Sequence, residues 1–229
     1  FFILGYIAEK HPELIKKISS LGHELGFHSY YHFLPNDQNE NSFEFDLLQG
    51  ISLIEKAAGK KVRFYRAPMF SLNEKSLWVY SILIKHGIEV SSSMKSHLNV
   101  NHQEIPSVPF YVSSGGKEIL EMPLNRLNLH ITRIPFTGSG YFRVLPLWFI
   151  KYYFKKYRYN MSYFHPRDFD CNVPFSPFLP YYRNMMNRFG NASTIKKLEK
   201  LVNQLTWLSL GEAFALTKNQ RPKIPVIKI

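Results

Sequence analysis

Cysteine is almost missing from this chain of 229 residues, in which Cys171 is the single thiol. One cysteine cannot form an intrachain disulfide, and this argues against a secreted scaffold held together by disulfides. Long hydrophobic runs are missing as well. The apolar stretch at residues 144–150 is far shorter than the ~18 residues of a membrane span, and Lys151 follows it directly. We therefore expect no transmembrane segment, and the chain is long enough to form one sizeable core.

Acidic residues are scarce, with 17 Asp and Glu against 29 Lys and Arg, and the net charge is +12. A basic protein attracts nucleic acid, anionic lipid headgroups or acidic polysaccharide. The lysines are scattered and form no long run, which favours an ordinary solvated surface. The densest cluster, KYYFKKYRY at residues 151–159, mixes cations with aromatics. It is compatible with a nucleic-acid patch, a membrane patch or the outer face of an amphipathic helix.

Strand-like and helix-like segments alternate along most of the chain. Apolar spacing predicts helices at about 41–58 and about 146–157, and strands at residues 62–65 and 161–164. Ser71 and Glu74 have the spacing of a capping box that would open a further helix. The alternation predicts a parallel sheet covered by helices, either open or closed into a barrel.

Polar side chains follow several of these predicted strands directly. His28, Arg66, Ser91 and His165 each stand at the end of one. In parallel α/β folds the functional residues gather at the carboxyl ends of the strands. This position marks the four residues as candidates for a single site.

The stretch GHELGFHSYYH at residues 22–32 holds three histidines. His28 and His32 are four apart, so a helical or tight-loop backbone would point both imidazoles the same way, as neighbouring metal ligands require. Nine histidines in 229 residues would give about 0.35 such pairs by chance. Spacing alone therefore leaves ordinary hydrogen-bonding histidines as an alternative. His23 and His28 are five apart and do not fit the zinc-protease motif.

This stretch resembles the metal-binding motif of the polysaccharide deacetylases, the NodB-homology domain, in which a Gly-His-Glu lead precedes His-(Ser/Thr)-x-x-His. RAPMFSL at residues 66–72 resembles the family's Arg-x-Pro motif, and SYFHPRDFD at 162–170 resembles its late strand ending in a catalytic histidine. TGSGYFRVLP, STIKKLEKLV and TWLSLGEAF resemble a bacterial subgroup associated with exopolysaccharide synthesis and export. The resemblance covers residues 1–216.

The family's fold is a deformed (β/α) barrel of the α/β class. Residues 1–32 resemble its second strand, the helix that follows it and its third strand. The resemblance thus implies one deacetylase domain over residues 1–229 that lacks the first barrel strand, with a C-terminal tail at 217–229. The missing strand would carry the catalytic base and a third metal ligand, so we expect the fragment itself to be inactive. The implied location is the cytoplasm or cell envelope of a bacterium.

The implied activity is metal-dependent removal of N-acetyl groups from N-acetylhexosamine units of a polysaccharide or oligosaccharide. His28 and His32 would bind a divalent metal, zinc in most members. Arg66 would hold the catalytic carboxylate, the N–H of Met69 would donate to the oxyanion, and His165 would be the general acid. The partner would be an N-acetylated glycan and not a nucleic acid.

Four further residues are assigned to the substrate groove by the same resemblance: Tyr31, Ser91, Tyr141 and Asp168. Two of them depart from the family pattern. Ser91 stands where the family has an Asp that tunes the catalytic histidine, and Asp168 stands where the subgroup has Glu. These departures keep open an alternative function, that of a non-catalytic carbohydrate-binding relative.

Overall fold

The computed structural model describes residues 1–100, 102–129 and 132–229. The chain forms two compact units. Unit 1 comprises residues 1–124 and 208–229, and unit 2 comprises residues 125–207. The expected single domain over 1–229 stays a prediction, because two compact units can belong to one domain.

Most strands of the described residues are two or three residues long. In chain order they are β1 (Phe2–Ile3), β2 (Gly26–Phe27), β3 (Phe64–Tyr65), β4 (Val90–Ser91), β5 (Asn99–Val100), β6 (Gln103–Glu104), β7 (Phe110–Ser114), β8 (Lys117–Glu121), β9 (Leu127–Asn128), β10 (Arg133–Ile134) and β11 (Val226–Lys228). The helices are α1 (Gly5–Lys10), α2 (Pro12–Ser20), α3 (Glu40–Ala58), α4 (Trp78–Lys85), α5 (Ser139–Val144), α6 (Leu147–Lys156), α7 (Tyr181–Arg188), α8 (Asn191–Val202) and α9 (Leu210–Asn219).

Unit 1 is built on a seven-stranded sheet in the order β1-β2-β3-β4-β8-β7-β11. Every neighbouring pair is parallel except the β7–β8 hairpin. The predicted α/β fold with a mainly parallel sheet is confirmed. Among the described residues, the paired strands form a sheet whose edge strands are β1 and β11, and no closed barrel is seen. The segment expected to be a tail, 217–229, ends α9 and contributes β11, which pairs with β7.

Helix α3 shows why the sequence folds locally as it does. Asn39 caps its start by accepting a hydrogen bond from the Ser42 N–H, and Gly59 ends it in the left-handed conformation with φ of 67°. Phe43, Leu47 and Ile54 are buried in the unit 1 core. The predicted helix at 41–58 is therefore confirmed to within a residue.

Helix α4 begins differently from the prediction. The capping box is formed by Asn73 and Ser76, not by Ser71 and Glu74. It caps a single 3-10 turn, Glu74–Ser76, and α4 follows from Trp78. Both pairs have the same three-residue spacing, so spacing alone could not separate them.

Unit 2 packs α5, α6 and α8 around its own apolar core, which is formed by Leu127, Phe136, Phe142, Ile150, Phe154 and Leu201. Helix α6 buries Ile150 and Phe154 and exposes Tyr152, Lys155 and Lys156. The cluster at 151–159 is thus largely the outer face of an amphipathic helix.

The strand predicted at residues 161–164 is wrong. The structure describes this whole segment as irregular. Its backbone groups bond elsewhere: the Met161 N–H donates to Asn125 Oδ1, and the Tyr163 carbonyl accepts from the Ser139 N–H. A short apolar segment forms a strand only if a neighbouring strand is available for pairing. The periodicity of the sequence does not show whether such a neighbour exists.

Across residues 1–100, 102–129 and 132–229, no helix is both long enough and apolar enough to cross a membrane.

Candidate functional site

The paired histidines lie in a loop directly after β2. The ring centroids of His28 and His32 are 5.1 Å apart, with an interplanar angle of 78°. His28 Nδ1 lies 2.6 Å from the carbonyl oxygen of Arg66. A carbonyl oxygen can only accept, so Nδ1 carries the proton, and in the neutral ring the lone pair resides on Nε2. This arrangement is typical of a metal-binding histidine, whose second nitrogen donates to a backbone carbonyl.

The loop is not helical. Ser29 and His32 both have left-handed backbone conformations, with φ of 67° and 65°. Such conformations are uncommon for residues with a side chain, and they persist where the surroundings determine them firmly. Of the two conformations that the spacing allowed, the structure contains the tight loop.

A buried carboxylate, Asp46 of α3, holds this loop in place. The Tyr30 N–H donates to both of its oxygens, at 3.0 and 3.2 Å. Burial raises the pKa of Asp46, and hydrogen bonds from the Tyr30 N–H and from Ser29 oppose that rise. The Ser29 hydroxyl in turn accepts from the Phe33 N–H at 2.9 Å.

Arg66 follows β3, the strand next to β2. Its guanidinium carbon lies 4.2 Å from the ring centroid of Phe2 and 4.8 Å from that of Phe70. Nη2 donates to Ser92 Oγ at 3.1 Å. Two rings and a hydroxyl therefore fix the plane of the cation, which is what a bidentate carboxylate clamp requires. Met69 lies three residues further on, in the 3-10 turn Pro68–Phe70, with φ of 59° and an exposed side chain.

The ends of β4 and β8 carry a buried polar network. Ser91 and Glu121 are register partners, and both are fully buried. Glu121 accepts from the Ser93 and Met94 N–H groups at 2.7 and 2.9 Å and from the Tyr80 hydroxyl at 2.8 Å. Burial raises the pKa of Glu121, and the hydrogen bonds that its carboxylate accepts oppose the rise.

The same network supports the segment that follows Arg66. Ser93 Oγ accepts from the Ser91 hydroxyl at 2.9 Å and from the Ala67 N–H at 2.8 Å. The turn that contains Met69 is thus tied to the end of β4.

Unit 2 carries the remaining candidates, centred on His165. His165 Nδ1 lies 3.3 Å from Asp168 Oδ2, and the His165 N–H donates to the same oxygen at 2.8 Å. The guanidinium Nε of the buried Arg143 lies 3.6 Å from Asp168 Oδ1. Burial alone would raise the pKa of Asp168, but the hydrogen bonds from His165 and the charge of Arg143 outweigh it and lower that pKa. An ionised carboxylate therefore orients the half-exposed imidazole.

The four residues assigned to the groove differ in exposure. Ser91 and Asp168 are completely buried, and their assignment to the groove stays a prediction. Tyr31 and Tyr141 are exposed, by 56% and 44%. The Tyr31 ring lies 5.5 Å from that of Tyr6 and 5.8 Å from that of Phe33, in an exposed aromatic group beside the histidine loop.

Sequence reasoning missed three polar residues that support these candidates: Asp46, Ser92 and Glu121. Two of them had a readable signal. Asp46 falls on the apolar face of α3, three residues after Phe43, and Glu121 closes the apolar run of β8. A carboxylate at a core position is informative, because a buried charge needs specific partners.

His28 and His32 fit a metal as two imidazole donors. In the part of the chain that the structure describes, no group of three His, Cys, Asp or Glu side chains gathers around a common point. A catalytic zinc site usually has three protein ligands, and this pair would supply two of them.

Two family models match the chain in succession. The model "Polysaccharide deacetylase" matches residues 1–90, which include the histidine loop and Arg66, and the model "Domain of unknown function (DUF3473)" matches residues 91–215. The chain belongs to the DUF3473 family and carries a polysaccharide deacetylase region. The DUF3473 region covers more than half of the chain, including the hairpin β7–β8 and all of unit 2.

Curated relatives share the first part of the chain. The peptidoglycan-N-acetylglucosamine deacetylase of Bacillus cereus is 32% identical over 77 residues, which are 34% of this chain and 28% of that protein. The peptidoglycan deacetylase of Helicobacter pylori is 31% identical over 115 residues, 50% of this chain and 36% of that protein. The chain thus spans about a third of the length of the curated relatives it matches.

A solved structure matches nearly the whole chain. It is that of a Mycobacterium smegmatis protein assigned as a polysaccharide deacetylase, with a TM-score of 0.61 over 99% of this chain and 74% of that one, at 18% identity. At this identity the match shows a shared fold.

Proposed function

We propose that the protein is a metal-dependent hydrolase that removes N-acetyl groups from N-acetylhexosamine units of a polysaccharide or oligosaccharide. The observation that carries the proposal is the His28–His32 pair after β2, with the Nδ1 proton of His28 held by the Arg66 carbonyl. Because Nδ1 carries the proton, the lone pair of Nε2 is available to bind a metal. Zinc is commonly bound by neutral imidazole nitrogens of this kind.

A divalent metal bound there would polarise the acetyl carbonyl and activate the attacking water. Arg66, whose guanidinium plane is fixed by Phe2, Phe70 and Ser92, would hold a carboxylate in its ionised form. The N–H of Met69 would donate to the oxyanion. Its turn is tied to β4 through Ala67 and Ser93, so little reorganisation would be needed during the reaction.

His165 would protonate the leaving amine as the general acid. The family's Asp is replaced by Ser91, and we propose that Asp168 takes over the orienting role. Its Oδ2 faces His165 Nδ1, and its Oδ1 forms an ion pair with the guanidinium of Arg143. Removing this carboxylate would leave the imidazole without a fixed orientation.

Exposed aromatic rings are suited to stacking on sugar faces. We propose that Tyr31 and Tyr141 contact the glycan, each in its own unit. The subgroup resemblance at residues 137–146 supports a bacterial exopolysaccharide as the polymer and a cytoplasmic or cell-envelope location.

The first experiment compares His28→Ala with His23→Ala. His23 belongs to the same motif, but its ring packs edge-on to Phe1 at 5.0 Å and is not assigned to the metal. Both substitutions are made in the full-length protein that contains these residues; zinc is titrated calorimetrically, and acetate release is measured with an N-acetylglucosamine oligomer. His28→Ala should abolish zinc binding and turnover, while His23→Ala should keep both. Equal zinc binding by the two variants would overturn the metal assignment.

The second experiment separates an enzyme from a carbohydrate-binding relative, the alternative that Ser91 keeps open. His165→Ala should retain zinc binding and lower kcat by about 10²–10⁴, the range for a positioned acid. Oligomer binding by the full-length protein that contains these residues, with no acetate release at any zinc concentration, would favour the binding function.

A further inference from the structure

Helix α7 of unit 2 has the reverse of ordinary amphipathicity. Its buried residue is polar: Asn184 is 3% exposed. Asn184 Oδ1 accepts from the Ser176 N–H at 2.8 Å, and Nδ2 donates to the Ser176 and Leu179 carbonyls at 2.9 and 3.0 Å. A surface helix normally buries its apolar stripe and exposes its polar one. Here hydrogen bonds anchor the helix.

The apolar side chains of this segment point to solvent. Their exposed fractions are 92% for Phe178, 71% for Tyr181, 58% for Tyr182, 45% for Met185, 64% for Met186 and 66% for Phe189. We call these six residues the α7 apolar face. Single exposed apolar residues are common, but a contiguous group of this kind marks an interaction surface.

Charge identifies the kind of partner. Unit 2 has 13 Lys and Arg against 3 Asp and Glu, a net charge of +10, whereas unit 1 has 16 against 14, a net charge of +2. Two of these cations, Arg183 and Arg188, are exposed on α7 itself. Nε of Arg188 donates to the Val173 carbonyl at 2.7 Å, and its guanidinium lies over the Phe175 ring at 5.4 Å. The apolar face is therefore flanked by cations.

We propose that the α7 apolar face docks unit 2 onto the surface of an anionic lipid bilayer. Aromatic and Met side chains would enter the boundary between headgroups and acyl chains, while Arg183 and Arg188 would pair with lipid phosphates. A second copy of the chain is a poorer occupant, because it would bring one unit of charge +10 against another. Nucleic acid would satisfy the cations, but it offers no hydrocarbon for Met185 and Met186.

The test is co-sedimentation of the 229-residue chain with vesicles. One set is made of equal parts phosphatidylcholine and phosphatidylglycerol, and the other of phosphatidylcholine alone. The native chain should bind the anionic vesicles preferentially, and added NaCl should weaken the binding because it screens the charges. The variant Phe178→Ser/Met186→Ser/Phe189→Ser should bind at least about tenfold more weakly, since it removes apolar area that would otherwise be buried in lipid.

A matched control is Phe45→Ser, which removes a ring of similar exposure, 69%, from α3 of unit 1. It should bind the anionic vesicles as the native chain does. Unchanged binding by the triple variant would overturn the proposal, and so would equal binding of the native chain to both vesicle types. A concentration-dependent dimer in sedimentation velocity that the triple variant abolishes would assign the face to a second copy instead.

Discussion

The two units position their functional candidates by different means. In unit 1, His28, Arg66 and Ser91 are placed by neighbouring parallel strands, whose carboxyl ends meet at one edge of the sheet. In unit 2, His165 follows an irregular segment and is placed by side-chain hydrogen bonds to Asp168. A strand end is determined by many backbone bonds, whereas the His165 arrangement depends on a few polar side chains. Unit 2 should therefore be the more sensitive to single polar substitutions.

The difference extends to the buried carboxylates. Glu121 of unit 1 is surrounded by backbone N–H and hydroxyl donors and has no cation among the partners that oppose its desolvation, so its pKa is raised. Asp168 of unit 2 faces His165 and Arg143, and its pKa is lowered. Folding therefore shifts the pKa values of the two carboxyl groups in opposite directions.

The largest effect is expected for Asp168→Ala. The substitution leaves the guanidinium of Arg143, itself 7% exposed, without its carboxylate, and removes the acceptor of the His165 N–H. Breaking a buried ion pair from one side costs about 3–5 kcal/mol. Urea denaturation would measure the loss in the free energy of unfolding. Glu199→Ala, at an exposed position of α8 in the same unit, should change it by no more than about 0.5 kcal/mol.

Glycine positions give the next largest effect. A Cβ on Gly138 of unit 2 would lie 1.8 Å from the Tyr163 carbonyl oxygen, a backbone atom that cannot move aside alone. Gly138→Ala should cost about 3 kcal/mol, the upper end for overpacking. On Gly50 in the middle of α3, a Cβ would lie 2.0 Å from the Phe27 ring. Gly50→Ala should cost about 1–2 kcal/mol, although helix propensity alone favours Ala by about 1 kcal/mol.

The control for both is Gly140→Ala in α5, where the nearest atom to the new Cβ would be Arg143 Nη2 at 3.6 Å. This variant should be neutral or slightly stabilising. Thermal unfolding of the three variants ranks them, and a stabilised Gly138→Ala would contradict the described packing of residues 137–139 against Tyr163.

The sequence predicts unit 1 better than unit 2, for a physical reason. The strand ends of unit 1 follow from hydrophobic periodicity. The sequence therefore predicts that His28 and Arg66 come directly after strands, as they do in the structure. Residues 161–164 have the composition of a strand, but their backbone groups bond to Asn125 and Ser139, which lie far away in sequence. Contacts between residues far apart in sequence do not affect hydrophobic periodicity, so they cannot be predicted from it. The contacts of Asp46 and Glu121 are of the same kind.

The boundaries of the family models differ from those of the compact units. The two matched models meet at residues 90 and 91, inside β4, whereas unit 2 begins at Asn125. The segment between these boundaries supplies β7 and β8, so the DUF3473 region contributes Glu121 and the serine network to the sheet that carries His28. A family boundary marks a limit of sequence similarity and need not coincide with a limit of packing.

The smallest effect, and the most specific, is the pH dependence of stability. The folded-state pKa of Asp168 is lowered, so its contribution is present above the unfolded value of about 3.9 and is lost as pH falls through the folded value. The folded-state pKa of Glu121 is raised, so its contribution is present below about 4.3 and is lost as pH rises through the folded value. Relative to the native chain, Asp168→Asn should therefore lose stability as pH rises, whereas Glu121→Gln should gain it.

Both variants lose hydrogen bonds and will be less stable at every pH, so the slopes and not the intercepts are decisive. Each unit of pKa shift contributes about 1.4 kcal/mol across its window. Urea unfolding at intervals between about pH 3 and pH 8 gives the two difference curves. Parallel curves would mean that the two carboxyl groups have similar surroundings. The contrast between Glu121, which faces N–H and hydroxyl donors, and Asp168, which faces His165 and Arg143, would then be wrong.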